Sequence, residues 1–273
     1  MRAYNTQTKN VEDLEQVIQV QIPEKKRFVV AIPHCGIYLP ESSDDYPVKL
    51  IKYPDIGDDV DLGSDKIFDL VEFGGVIMGT GMHRNVVDLN RSRVEDPCKI
   101  YNKVRKCYKY NQDLTEDEID WVCQKYDHGR FREYIKKEMD CLKAEYGRAL
   151  LISGHTFGRK GEDLPGICIG TGNGLNASSN FIHAFSSALR DEVRRKKLDT
   201  DVQINHPYPS SKGITGEYGR PKEGYDALLI EVNRKLFLNS NRMPKRITII
   251  RECIANAINR SLPRITKTRI TPD

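Results

Sequence analysis

The sequence predicts an α/β fold: a single three-layer domain with a mixed central β-sheet and helices on both faces. Two observations carry that expectation. Short apolar runs at 28–32, 75–79, 149–153 and 227–232 have the unbroken hydrophobicity of strands buried on both sides. Longer segments between them repeat their apolar residues at helical spacing, and strands interleaved with helices place a sheet between two helical layers. No internal repeat and no shift in composition divides the 273 residues, a length that one large domain can fill.

Taken in order, a polar lead-in precedes a first strand at 27–33, and 41–59, rich in Ser, Asp and Pro, reads as a surface loop. Asp61 stands where an N-cap would for a helix over 62–71. Strands follow at 75–79 and, shorter, at 85–89, whereas 95–113 has no clean period and reads as irregular. Thr115 and Glu118 have capping-box spacing, with Ile119, Val122 and Tyr126 on a helical stripe. His128-Gly129 interrupts the stripe, which resumes through Phe131, Ile135, Met139, Leu142 and Tyr146 until Gly147 supplies a stop.

A strand at 149–153 leads into a glycine-rich connection, 154–174, that contains the apolar piece Ile167-Cys168-Ile169. Residues 176–197 set Phe181, Phe185, Leu189 and Val193 on one face of an amphipathic helix. Further strands are expected at 202–204 and 227–232. The loop between them, 205–224, holds several Gly and Pro, and loops that long in a compact domain are usually functional. Pro244 opens a last helix carrying Ile247, Ile250, Ile254 and Ile258.

Charged residues are 30% and apolar residues 38% of the chain, which fits a globular protein rather than a disordered one. The net charge of +4 is too small to argue for nucleic acid, and the basic clusters at 194–197 and 264–269 sit where cations complement helix ends. Seven cysteines without a Cys-x-x-Cys pair read as free thiols in a reducing compartment. The first 21 residues have no apolar signal core, and no run is long enough to span a bilayer. A cytoplasmic protein with no membrane or nucleic-acid partner is expected.

Three of the apolar runs end in residues that can hold a metal or move a proton: His34, His155 and Glu231. Strand ends of an α/β sheet gather functional groups, so two imidazoles and a carboxylate meeting in one crevice point to a metal-assisted hydrolase. A hydrolytic zinc site has three protein ligands and one open position. His34 and His155 are the imidazole candidates, and Asp61 or Asp65 the third ligand, each of which helix capping or a helix dipole would also explain. Glu231 closes an apolar run, where a carboxylate is costly unless partnered, and is the candidate general base. A salt bridge to Arg234 is the structural alternative.

Arg84, Asp88, Asn90 and Arg91 form a second cluster. Arg84 and Asp88 either brace a strand as an ion pair or place Arg84 in the crevice. Asn90 and Arg91 are the candidates for a substrate carboxylate, which an arginine fork grips in two places.

Pro33-His34-Cys35-Gly36 with Pro40, Asp61-x-Gly63-Ser64-Asp65, Arg84 with Asp88-Leu89-Asn90-Arg91, Gly154-His155-Thr156, Asn205-x-Pro207-Tyr208 with Gly213-Ile214-Thr215, and Glu231-Val232-Asn233-Arg234 together resemble the N-formylglutamate amidohydrolase family. The resemblance runs from about 28 to 237, leaving 1–26 as lead-in and 244–273 as a C-terminal helix and tail. It implies a zinc carboxypeptidase-like fold with one Zn2+ on His34 and His155 plus an acidic ligand, Glu231 as base and Asn90, Arg91 and Thr215 at the substrate. Arg84, facing the crevice, would stabilise the oxyanion.

The implied activity is hydrolysis of an N-acyl amino acid, N-formylglutamate or a relative. Rivals are a metallo-carboxypeptidase or cell-wall amidase, a cysteine hydrolase using Cys35, and a non-enzymatic carboxylate binder. Two departures from the family's pattern stand out. Ser153 replaces the Asp common two residues before the second His, and Cys35 stands where Ser is usual.

Overall fold

A computed structural model describes residues 18–38, 60–95, 101–102, 107–108, 115–158, 164–238 and 242–262. The loop expected at 41–59, most of the irregular stretch at 95–113 and the basic tail at 264–269 lie outside these residues. Nine strands are described: β1 Ile18–Gln21, β2 Phe28–Ile32, β3 Gly75–Thr80, β4 Tyr101–Asn102, β5 Cys107–Tyr108, β6 Ala149–Phe157, β7 Ile167–Gly170, β8 Val202–Ile204 and β9 Tyr225–Asn233. Six helices accompany them: α1 Ser64–Ile67, α2 Glu116–Lys125, α3 His128–Tyr146, α4 Ser179–Arg195, α5 Gly213–Tyr218 and α6 Met243–Ser261.

Seven strands form one mixed sheet in the order β1-β3-β2-β6-β9-β7-β8, and β4 and β5 pair separately. The neighbours β3, β2, β6 and β9 run parallel, β1 is antiparallel to β3, and β7 is antiparallel to β9 but parallel to β8. Every residue of β2, β3 and β6 is buried, because helices cover both faces. Period-two alternation then sorts the side chains. Phe28, Val30 and Ile32 join α1, α4 and α6 in one core, and Val29 and Ala31 join α2, α3 and α5 in the other. The mixed sheet between two helical layers is the α/β fold that the sequence predicts.

Several elements differ from the sequence expectation. The helix expected over 62–71 is only α1, with Gly63 in the left-handed region at its N-cap and no side-chain cap. Asp61 is therefore not a cap: its carbonyl accepts Ser64 N–H, while its own N–H donates to the His34 carbonyl at 3.0 Å. The strand expected at 85–89 is absent. That segment turns twice, with Val86 N–H on the His83 carbonyl and Arg91 N–H on the Asp88 carbonyl. The side chains of His83 and Asp88 also accept the N–H groups of Asn85 and Asn90, local bonds that compete with a ladder.

The strand expected to stop at 153 continues to Phe157, pairing with β9 along its whole length. The stripe expected to break at His128 breaks one residue earlier, at Asp127, whose φ of 56° lies in the left-handed region. The capping box of α2 is formed in full. The long 205–224 loop holds α5 and a single turn at Pro221–Glu223, and the lead-in ends in edge strand β1.

Candidate active site

Parallel pairing of β6 with β9 sets His155 directly beside Glu231, and matched positions on neighbouring strands project from the same face. Gly154 permits this arrangement: a Cβ there would lie 2.4 Å from the Phe68 ring, so only glycine lets α1 pack against β6 just before His155. His34 sits in the turn after β2. Its ring centroid lies 4.8 Å from that of His155, and Asp61 is tied to it through the backbone.

His34, Asp61 and His155 each bring one ligand atom within 4.8 Å of the others, and all three are buried. Asp61 Oδ2 lies 2.8 Å from His155 Nδ1 and 3.5 Å from His34 Nδ1. The far nitrogens are held from behind: His34 Nε2 by Asp88 Oδ1 at 2.7 Å and His155 Nε2 by Ser153 Oγ at 2.9 Å. Both imidazoles thus present Nδ1 to one carboxylate oxygen, and His34 Nδ1 is buried without a hydrogen bond. Asp65, in the first turn of α1, belongs to no such group among the described residues, and burial raises its pKa.

The electrostatics follow from that sharing. Burial works against ionised Asp61, yet the His155 contact at 2.8 Å and the nearby His34 ring outweigh it and hold the carboxyl below its usual range. Burial pushes the His155 pKa down, with Asp61 opposing. For His34, burial and Arg84 lower the pKa, but Asp88 and Asp61 together raise it. Glu231 moves strongly upward, first through burial and then through the charge of Asp61, with Arg84 and Arg234 opposing. Its Oε2 is buried and has no hydrogen-bond partner.

Arg84 Nη2 donates to Asp88 Oδ2 at 2.7 Å, and Arg91 Nε lies 3.5 Å from the same oxygen. The ion pair anticipated between Arg84 and Asp88 therefore exists, but in a turn beside His34 rather than along a strand. Asn90 and Thr215 are engaged elsewhere. Asn90 Oδ1 accepts the Ile214 N–H at 3.3 Å, against Gly213, where a Cβ would meet the Asn90 carbonyl at 2.7 Å. The Thr215 hydroxyl is paired with that of Ser210. Asn90 thus fixes the start of α5 beside the crevice.

The sequence reading passed over Asp88 as the partner of His34. A carboxylate set among Val86, Val87 and Leu89 with an arginine on either side was the available signal, since such a group must be buried and paired. Cys35 does not fit the role of a nucleophile. Its Sγ lies 3.2 Å from the carbonyls of both Ile32 and Thr80, which share its one proton, and burial pushes its pKa up to about 12, far from the thiolate that such chemistry needs.

The model of a family described as N-formylglutamate amidohydrolase matches residues 26–238, well over half of the chain. The chain belongs to the N-formylglutamate amidohydrolase family. A crystal structure of N-formylglutamate amidohydrolase from Ralstonia eutropha superposes with a TM-score of 0.70 at 17% identity, covering 89% of this chain and 97% of that one. A gene product of Agrobacterium tumefaciens superposes with a TM-score of 0.69 at 16% identity, covering 91% and 97%. At such identities the two structures bear on the fold alone. No curated protein matches the sequence. Membership in the N-formylglutamate amidohydrolase family supports an amidohydrolase with a small-molecule substrate. Among the described residues no helix is long and apolar enough to cross a membrane.

Proposed function

We propose that the chain is a metal-dependent amidohydrolase acting on an N-acyl amino acid, N-formylglutamate or a close relative. His34, Asp61 and His155 hold the metal and Glu231 is the general base. The observation that carries this reading is the buried trio itself, two Nδ1 atoms converging on one carboxylate oxygen with His34 Nδ1 lacking any hydrogen bond. Buried polar atoms are normally paired, and a His-His-carboxylate set is the donor chemistry of catalytic zinc. Zinc bound there supplies a Lewis acid that polarises a carbonyl and brings the pKa of water to about 7.

The chain's own groups do the rest. Glu231, next to His155 and with a raised pKa, is suited to take a proton from water as hydroxide attacks the amide carbonyl, and then to give that proton to the leaving nitrogen. Arg84, held by Asp88, lies close enough to influence both imidazoles and Glu231, and stabilises charge developing on the carbonyl oxygen. Arg91 is assigned to the substrate's carboxylate end, with Asn90 and Thr215, held by Ile214 and Ser210, shaping the wall beside it.

Charge supports an acidic substrate. Asp61, Asp88 and Glu231 are matched by Arg84, Arg91 and Arg234, so a divalent cation leaves the crevice with a positive surplus that attracts a dicarboxylate. We read residues 1–273 as one catalytic domain. Cys35, Cys123, Cys141, Cys168 and Cys253 are in no disulfide, which supports a cytoplasmic setting.

Metal analysis of freshly purified protein, joined to a panel of N-acyl amino acids and short peptides, tests the reading. One equivalent of divalent metal is expected, with turnover of N-acyl acidic amino acids that chelation removes and zinc restores. Turnover of peptides only would overturn the substrate class. Turnover indifferent to chelators in metal-free protein would overturn the metal reading.

A further inference from the structure

Asp88 has no part in the reaction as described above, yet it is among the most heavily engaged carboxylates in the molecule. Its side chain is 1% exposed. Oδ1 accepts from His34 Nε2 at 2.7 Å and from Asn90 N–H at 3.0 Å. Oδ2 accepts from Arg84 Nη2 at 2.7 Å and faces Arg91 Nε at 3.5 Å. One buried group thus touches the metal-ligand candidate, the oxyanion-side arginine and both residues placed at the substrate carboxylate.

The chemistry of the His34 contact is directional. Both oxygens of Asp88 already accept, Oδ1 from the Asn90 N–H and Oδ2 from Arg84 Nη2, so in the 2.7 Å contact Asp88 is the acceptor and His34 Nε2–H the donor. That leaves the Nδ1 lone pair bare and turned toward Asp61. The other imidazole is treated differently: Ser153 Oγ can either donate to or accept from His155 Nε2, so it fixes the ring's position without choosing a tautomer.

We propose that Asp88 is the positioning residue of the metal centre, locking His34 in its Nε2–H tautomer for coordination through Nδ1 and with its second oxygen aligning Arg84 beside the same crevice. The assignment rests on the metal reading above. It makes the two imidazoles unequal: His34 is prepared for the metal by a charged partner, and His155 is held by an adaptable one. Outer partners of this kind are worth about 10- to 100-fold in metal affinity.

Competition of Zn2+ or Co2+ against a chromophoric chelator measures the effect without relying on turnover. Asp88→Asn, nearly isosteric, is expected to bind about 10- to 100-fold more weakly and to alter the visible absorption of the Co2+-loaded protein. Arg84→Met breaks the same ion pair while sparing the His34 contact, so it controls for lost stability and should bind Co2+ with the wild-type spectrum and nearly wild-type affinity.

Should the Asp88 variant not fold, nitrogen NMR of imidazole-labelled, zinc-loaded wild type decides. A proton on His34 Nε2 with Nδ1 coordinated is expected, and coordination through Nε2 overturns the assignment. Wild-type affinity and spectrum in Asp88→Asn would overturn it as well, leaving the metal reading intact. A wild-type chain that takes up no metal overturns both.

Discussion

The floor of the crevice and its wall use polar side chains in opposite ways. On the floor, His34 Nδ1 and Glu231 Oε2 are buried without hydrogen bonds, and Glu231 is pushed toward its neutral form by burial and by Asp61. On the wall, Asn90 holds the N–H of Ile214, Thr215 is paired with Ser210, and His128 and Arg132 both reach the Arg91 carbonyl. Groups left unsatisfied cost folding free energy, and a fold tolerates them where chemistry will use them. On the function proposed above, the floor carries the reactive capacity, and the wall, already satisfied, gives the site its shape.

Opposite substitutions should separate the two. Glu231→Gln is expected to lower kcat roughly 100- to 10,000-fold, the range of general-base contributions, with KM little changed. Because it removes a buried carboxylate whose ionised form the fold disfavours, the metal-free variant should melt at or above the wild-type temperature. Asn90→Ala is expected to do the reverse, costing about 1 kcal/mol of stability through the lost bond to Ile214 and raising KM more than it lowers kcat. Melting curves and steady-state kinetics on both variants check the contrast. An Asn90 variant of unchanged stability with a large KM effect would move Asn90 from wall to floor.

The same distinction explains what the sequence made legible. The strands holding His34, His155 and Glu231 announce themselves because double-sided burial demands unbroken apolar runs. Their functional ends do not. Strand β6 continues through Ser153, Gly154, His155 and Thr156, all buried, although polar residues at its end read as the start of a loop. Asp61 and Asp65 were inseparable in sequence because the left-handed turn at Gly63 decides which carboxylate faces the imidazoles.

Residues 85–89 look like a strand since Val86, Val87 and Leu89 are apolar. Turns closed by the His83 and Asp88 side chains bury them without a ladder. Edge strand β1 alternates Ile18, Gln19, Val20 and Gln21 over too short a length to stand out from a polar lead-in, and α5, six residues long, is shaped by Asn90 more than by its own periodicity.

Acid should loosen the wall before it touches the strand ends. Burial, aided by Arg132, lowers the pKa of His128 to about 4 from an ordinary 6.5, while its Nε2–H donates to the Arg91 carbonyl at 2.8 Å. Between those two values the unfolded chain binds a proton that the folded one refuses. Stability is therefore full above about pH 6.5 and falls as pH drops toward 4, by up to roughly 3 kcal/mol from this residue. Denaturant midpoints measured from pH 7 to 4 should show a shallower slope in His128→Gln than in wild type. Equal slopes would mean that His128 is protonated in the fold and that the wall is held some other way.

The smallest expected effect belongs to Cys35, which adjoins His34 in sequence yet belongs with the satisfied groups. Its one thiol proton is shared between the carbonyls of Ile32 and Thr80, tying the turn that carries His34 to the ends of β2 and β3. A pKa near 12 leaves almost no thiolate at neutral pH, and nucleophilicity and alkylation both need the thiolate. A serine hydroxyl can share its one proton between the same two carbonyls, so Cys35→Ser should retain wild-type kcat and KM, and iodoacetamide should leave the wild-type enzyme active. Loss of turnover in the serine variant, with metal content and melting temperature unchanged, would move the reactive capacity of the floor from Glu231 to the thiol.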